Sequence, residues 1–108
     1  MKILNIHKSA NSSQVLQLLQ EKLNPLFQQQ RQIDISFKIE NKDGVVEISL
    51  PGVYEGFLFR IEIRGTELLI TRSEHYVDDV NSLTIESILN ELFAELAEGG
   101  KVTLVLEG

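Results

Sequence analysis

The chain has 108 residues, of which 43% are hydrophobic and 24% are charged, and its formal net charge is -6 at pH 7. These values are typical of one globular domain that is long enough to bury a core without a metal or a disulfide. There is no cysteine, which excludes disulfides, thiol nucleophiles and cysteine-ligated zinc or iron-sulfur centres. We therefore expect a single domain over residues 1–108.

The first predicted elements are a short strand and an amphipathic helix. The opening segment Met1–His7 has an apolar run too short for a signal-peptide core, and its pattern indicates a strand. Asn11–Ser13 followed by Gln14 resembles a capping box, which predicts a helix start. The helical stripe behind it consists of Val15, Leu16, Leu19, Leu23, Leu26 and Phe27. Pro25 predicts either an end of the helix at the preceding residue or a kink.

The next four strands form a predicted antiparallel meander. From Ile33 the hydrophobic period changes from 3.6 to 2, which is the pattern of strands with one wet face. Turns at Asp43-Gly44, Pro51-Gly52 and Gly65-Thr66 separate the strands, and residues Glu67–Arg72 form the last of them. The residues expected to face the core are Ile33, Ile35, Phe37 and Ile39, then Val46, Ile48 and Leu50, then Phe57, Phe59, Ile61 and Ile63.

A polar connection, a second helix and a last strand complete the chain. The connection Ser73–Ser82 is longer than most loops in compact domains, so it is predicted to span a distance or to carry a function. The helical stripe behind it consists of Ile85, Ile88, Leu89, Leu92, Phe93 and Leu96. Gly99-Gly100 ends this helix, and Lys101–Leu106 is predicted to be the last strand.

The resulting order, β-α-β-β-β-β-α-β, predicts an α+β fold. We expect a two-layer sandwich in which a six-stranded, mixed but mostly antiparallel sheet carries both helices on one face. Because crossovers between parallel strands are right-handed in nearly all proteins, the two helical crossovers must step in opposite directions across the sheet. The predicted strand order is 6-1-2-3-4-5. In this order the last crossover must span the sheet, and the long connection Ser73–Ser82 makes that possible.

One loop gathers side chains that could form a catalytic or ligand-binding site. His75 is flanked there by the carboxylates of Glu74, Asp78 and Asp79. Histidine titrates near neutrality, so this set could serve a small enzyme or a ligand-binding domain. An acidic segment before a helix N-terminus is also the ordinary electrostatic arrangement, and its spacing does not match a calcium loop. The chain has no nucleophile elbow, Walker loop or dinucleotide motif, so no cofactor and no metal site are predicted.

The net charge argues against nucleic-acid and membrane partners, because an acidic surface repels phosphate backbones and anionic bilayers. A nucleic-acid hypothesis would use Arg60 and Arg64, but the phenylalanines that could stack on bases are predicted to be buried. No apolar run approaches the length of a membrane span, and the sequence predicts a cytoplasmic protein.

The wet face of the sheet is the remaining feature with functional potential. The apolar side chains predicted on it are Val45, Leu58, Leu69 and Val105. With Arg60 and Arg64 beside them, they form a mixture typical of protein-contact patches, although scattered exposed apolar residues are also ordinary.

The leading hypothesis is a non-enzymatic, acidic protein-binding module, either an adaptor or a regulatory domain. Its candidate interaction residues are Leu58, Arg60, Arg64 and Leu69. The module would offer its sheet face or an edge strand to a protein partner or to a second copy in a homodimer. The alternative is a small enzyme or ligand-binding domain with a site near His75, Asp78 and Asp79.

Overall fold

The computed structural model describes residues 1–108 and contains six strands and two helices. The strands are β1 (Lys2–Asn5), β2 (Lys38–Lys42), β3 (Val45–Ser49), β4 (Phe57–Arg64), β5 (Glu67–Arg72) and β6 (Thr103–Glu107). The helices are α1 (Ser12–Arg31) and α2 (Val80–Leu96), and short 3-10 turns flank α2 at Glu74–Tyr76 and Glu98–Gly100. The predicted α+β fold and its element order are confirmed.

The strand order across the sheet is β2-β3-β4-β5-β1-β6, and every neighbouring pair is antiparallel. The predicted order was wrong in placing β1 beside β2, and the sheet has no parallel pair. As expected, β6 lies beside β1, and the two crossovers step in opposite directions. The error was to assume that the first crossover joins adjacent strands. The 20 residues of α1 extend about 30 Å, which exceeds the about 19 Å across four strand spacings, so α1 can carry the chain from β1 to the far edge.

The first helix begins as predicted and continues past its proline. Asn11 caps it, accepting from the Gln14 amide at 2.9 Å while its own amide donates to the Gln14 side chain at 3.0 Å. Pro25 lies inside the helix. It has no amide hydrogen, so the carbonyl of Glu21, one turn earlier, lacks its helical partner. Both residues are exposed. Water can therefore bond the free carbonyl, which explains why the proline does not end the helix.

The strand that follows α1 is shorter than its alternating pattern predicts. Pairing with β3 begins only at Lys38, so residues 33–37 are outside the sheet. Ile33, expected in the core, is exposed, whereas Phe37 is buried against the ring of Phe27 at a centroid distance of 4.7 Å. Asp43 and Gly44 both have positive φ, at 53° and 87°, which matches the predicted two-residue hairpin turn.

A bulge in β4 reverses the predicted facing of its first residues. Ile48 pairs with Phe59 whereas Ser49 pairs with Phe57, so Leu58 is the extra residue. Leu58 and Phe59 are both fully buried, and Phe57 lies on the face away from the helices. The prediction that Phe57 faces the core and Leu58 faces solvent was wrong, because a bulge shifts the alternation by one residue.

One hydrophobic core of 22 buried residues lies between the sheet and the two helices. As the pattern predicts, it contains Leu89, Leu92 and Phe93 of α2 together with Phe59 and Ile61 of β4. Neither helix is long and apolar enough to cross a membrane.

Candidate functional site

Side-chain amides of α1 bond the main chain at the start of β2 and in the segment before it. This amide ladder consists of Gln20, Asn24 and Gln28. The bonds run from Gln20 Nε2 to the Ile39 carbonyl (3.1 Å), from Asn24 Nδ2 to the Phe37 carbonyl (3.0 Å) and from Gln28 Nε2 to the Ile35 carbonyl (2.9 Å). Asn24 Oδ1 also accepts from the Phe37 amide at 2.7 Å.

The spacing of the amide ladder matches the spacing of the backbone it covers. Four residues of helix rise about 6 Å, and two residues of extended chain rise about 6.8 Å. Each turn of α1 therefore meets every second residue of the segment 35–39, as a neighbouring strand would. Of the three carbonyls, only that of Ile39 belongs to β2, so the amide ladder occupies the start of the β2 edge and the segment before it. Helix α1 therefore obstructs the approach of a further strand at this end of the β2 edge.

The opposite edge is formed by β6, and nothing in the chain pairs with its outer side. Three successive apolar residues there are about half exposed: Leu104 at 51%, Val105 at 51% and Leu106 at 50%. Val105 is an extra residue in the pairing with β1, so this edge carries a bulge. Proteins commonly protect exposed edge strands with charge, proline or a covering element. We call residues Thr103–Glu107 and their unpaired side the β6 edge.

We call the sheet face opposite the helices the open face, and it has a charged half and an apolar half. On β2, β3 and β4 it carries a network of ion pairs. The pairs join Lys38 to Glu40 (3.5 Å), Lys42 to Glu40 (3.8 Å), Lys42 to Glu47 (3.3 Å) and Arg60 to Glu47 (3.0 Å). Near β6 the cross-strand neighbours Leu69, Ile3 and Leu106 are all apolar. This apolar strip is continuous with the β6 edge.

Glu47 is the centre of the charged half. Desolvation raises the pKa of this carboxyl, but hydrogen bonds and charge from Arg60 and Lys42 outweigh it and lower the pKa below its usual value. The guanidinium of Arg60 also lies 4.0 Å from the centroid of the Phe57 ring, a cation-π contact. These cations are already engaged within the chain.

The four predicted interaction residues lie in different environments. Leu58 is in the core at 0% exposure, so its predicted place on the open face was wrong. Leu69 does lie on the open face, but it is only 6% exposed because its neighbours on β1 and β4 cover it. Arg60 and Arg64 are exposed there, as expected. These four residues therefore do not form one exposed contact patch, because both leucines are buried.

Hydrogen bonds and a contact between tyrosine rings join the long connection before α2 to the loop between β3 and β4. Asp79 is the N-cap of α2, and its Oδ1 accepts from the amides of Asn81 (2.9 Å) and Ser82 (3.1 Å) and from the Tyr54 hydroxyl (2.8 Å). Burial and the Asp79 carboxylate raise the pKa of Tyr54. The rings of Tyr54 and Tyr76 also stack edge to face at 4.8 Å. The connection therefore holds the N-terminus of α2 against the loop between β3 and β4.

The structure does not bring His75, Asp78 and Asp79 together in one cavity. His75 lines an open depression of about 460 Å³ with Tyr76 and Glu55, and neither aspartate lines it. His75 and Asp78 are exposed, while Asp79 is engaged as a helix cap. No group of three or more histidine and carboxylate side chains is placed to hold a metal ion.

A second cavity, of about 310 Å³, lies between the end of the sheet and α2. Its apolar floor includes Phe59, Ile70 and Leu89. The cations at its rim are engaged within the chain, since Arg72 pairs with Glu86 at 3.2 Å and Lys2 donates to Asn90 at 3.0 Å.

No protein-family model, curated protein or solved structure matches this chain. Sequence reasoning missed the amide ladder, although its signal is visible. Gln20, Asn24 and Gln28 recur at four-residue spacing, each directly after a core residue of α1.

Proposed function

We propose that the chain is a non-enzymatic protein-binding module whose partner adds a strand to the sheet at the β6 edge. The observation that carries the proposal is the difference between the two sheet edges. The start of the β2 edge lies beside α1 and its amide ladder, whereas the β6 edge has unpaired backbone and three half-exposed apolar residues. In strand addition, backbone bonds supply affinity and the flanking side chains supply specificity.

The apolar strip extends the proposed surface onto the open face. A partner strand beside β6 would cover Leu106, and its side chains on the open face would continue the row formed by Leu69 and Ile3. Leu69 is already buried, so the apolar area that association would remove from water belongs mainly to Leu106 and its neighbours on β6. The predicted site near His75 has no comparable support, because its carboxylates are either solvated or engaged as a cap.

The test is a capture experiment with immobilised wild type, Leu106→Lys and a matched control, Leu83→Lys. Leu83 is a leucine on α2 with 47% exposure, so the control makes the same chemical change away from the β6 edge. Proteins bound from an extract of the expressing cells are quantified by mass spectrometry, and direct contact is checked with the purified candidates.

We expect partners that bind wild type and Leu83→Lys and are lost with Leu106→Lys, because an edge lysine opposes strand addition. Capture that survives Leu106→Lys, or that both variants reduce equally, would contradict the proposal. Circular dichroism verifies that each variant remains folded.

A further inference from the structure

We infer that the strand received at the β6 edge is β6 of a second copy of this chain, placed antiparallel about a twofold axis. This inference rests on the proposed function, since it names the partner of the same edge. Three properties of the chain carry it: the difference between the two sheet edges, the distribution of charge along β6 and the charges at its two ends.

The first property is that α1 obstructs one of the two sheet edges. Strand pairing that used both edges of a sheet would be head to tail and could continue into a fibre. Here the amide ladder occupies the start of the β2 edge and the segment before it, whereas no helix lies beside β6. Pairing of β6 with β6 is isologous, because each copy offers the same surface, and it therefore closes at two copies.

The second property is the absence of charge along the pairing segment. Two copies of a chain with net charge -6 repel one another. The segment Val102–Leu106 contains no charged residue, and Leu104, Val105 and Leu106 offer apolar side chains to a partner. Pairing along this segment therefore brings no like charges together.

The third property is the pair of opposite charges that flanks the uncharged segment. Lys101 precedes it and Glu107 ends it, both are exposed, and neither forms a salt bridge within the chain. An antiparallel arrangement brings the Lys101 end of each copy to the Glu107 end of the other, whereas a parallel arrangement would bring like charges together. Charge complementarity therefore selects the antiparallel dimer.

The bulge at Val105 is compatible with a short pairing of this kind. It interrupts the regular alternation of β6, so it disfavours long flat ladders more than contact over a few residues. We therefore expect a reversible dimer whose population changes with protein concentration.

Sedimentation equilibrium of the purified protein, from about 5 to about 500 µM, tests the inference with a charge-swap series. The variants are Leu106→Lys, Glu107→Lys, the double variant Lys101→Glu/Glu107→Lys, and Glu91→Lys as a charge-matched control. Glu91 is exposed on α2 and forms no salt bridge. Near-identical circular dichroism spectra establish that folding is retained.

For wild type we expect a monomer-dimer equilibrium with no larger species. Glu107→Lys should raise the dissociation constant by about tenfold, because it places two ammonium groups near one another at each end of the paired strands. The double variant should return the dissociation constant to within about threefold of the wild-type value. Glu91→Lys should leave it within the same range or lower it slightly through the reduced net charge.

Three outcomes would overturn the inference. A wild type that stays monomeric throughout would mean that the partner is another protein, and the capture experiment with Leu106→Lys would then decide the proposed function by itself. A dimer indifferent to both Glu107→Lys and Leu106→Lys would place the interface away from β6 and overturn the inference, and the capture experiment would again decide the proposed function. A dimer weakened by Glu107→Lys but not recovered in the double variant would refute the antiparallel arrangement.

Discussion

Replacement of Asn24 by alanine tests the physical role of the amide ladder. The change removes both hydrogen bonds to Phe37, at 3.0 Å and 2.7 Å, and leaves a backbone amide and carbonyl in a largely buried residue without partners. Each unsatisfied group costs about 1 to 3 kcal/mol. Because the contacts are partly buried, the lower half of that range applies, giving about 2 to 4 kcal/mol for the two.

The higher helix propensity of alanine offsets about 0.5 kcal/mol of this loss. We therefore expect Asn24→Ala to lower the free energy of unfolding by about 1.5 to 3.5 kcal/mol, measured by urea denaturation with an unchanged slope. The control is Gln17→Ala, which removes only an exposed bond to Glu21 on the same helix and should change stability by about 0.5 kcal/mol or less. Equal effects of the two substitutions would refute the account of the β2 edge.

Four further predictions concern the core, the ion pairs of Glu47 and the absence of a metal requirement. Phe93→Ala removes a fully buried ring and should cost about 3 to 5 kcal/mol in denaturant melts, so a loss below about 1 kcal/mol would contradict its place in the core. Leu58→Asp puts a carboxylate at a position with no solvent exposure and should abolish folding by circular dichroism, whereas a folded Leu58→Asp protein would contradict the bulge in β4. The lowered pKa of Glu47 means that its stabilising effect is present above its usual value of 4.5 and is lost as pH falls through the folded value, so wild type should lose stability more steeply than Glu47→Gln on acidification. A chelator should leave the melting temperature unchanged, and a drop that zinc or calcium reverses would reveal a metal requirement.

Element type was predictable wherever local periodicity was strong. The apolar stripe of α2 is set by contacts three and four residues apart, so Leu89, Leu92 and Phe93 could be assigned to the core directly from their spacing. The hairpin at Asp43-Gly44 was equally local, because its two positive φ angles match the preferences of these residue types.

The strand order depended on interactions that local patterns do not contain. β1 pairs with β5, with Leu4 opposite Leu68, across more than sixty residues of chain, and apolar alternation on several strands is compatible with several neighbours. The bulge at Leu58 could not be predicted from alternation either, because Phe57, Leu58 and Phe59 are all apolar. A period of two cannot locate an extra residue in such a run.

The candidate site was predictable in kind but not in position. The hypothesis of an edge strand or open face required only an antiparallel sheet, which alternation indicates. Which edge is obstructed depends on where α1 lies, because the amide ladder can reach the start of β2 only after the helix has crossed the sheet. Leu58 and Leu69 were consequently favoured over Leu104 and Leu106.

Residue-resolved amide hydrogen exchange at low and high protein concentration tests the central claim most directly, because it compares the segment bonded by the amide ladder with the β6 edge in one molecule. The account predicts that the Phe37 amide, bonded to Asn24, is protected at every concentration. It also predicts that the β6 amides that do not donate to β1 exchange rapidly when the protein is dilute and become protected as it associates. Association that leaves every β6 amide unchanged, or a Phe37 amide that exchanges as fast as a free edge, would contradict it.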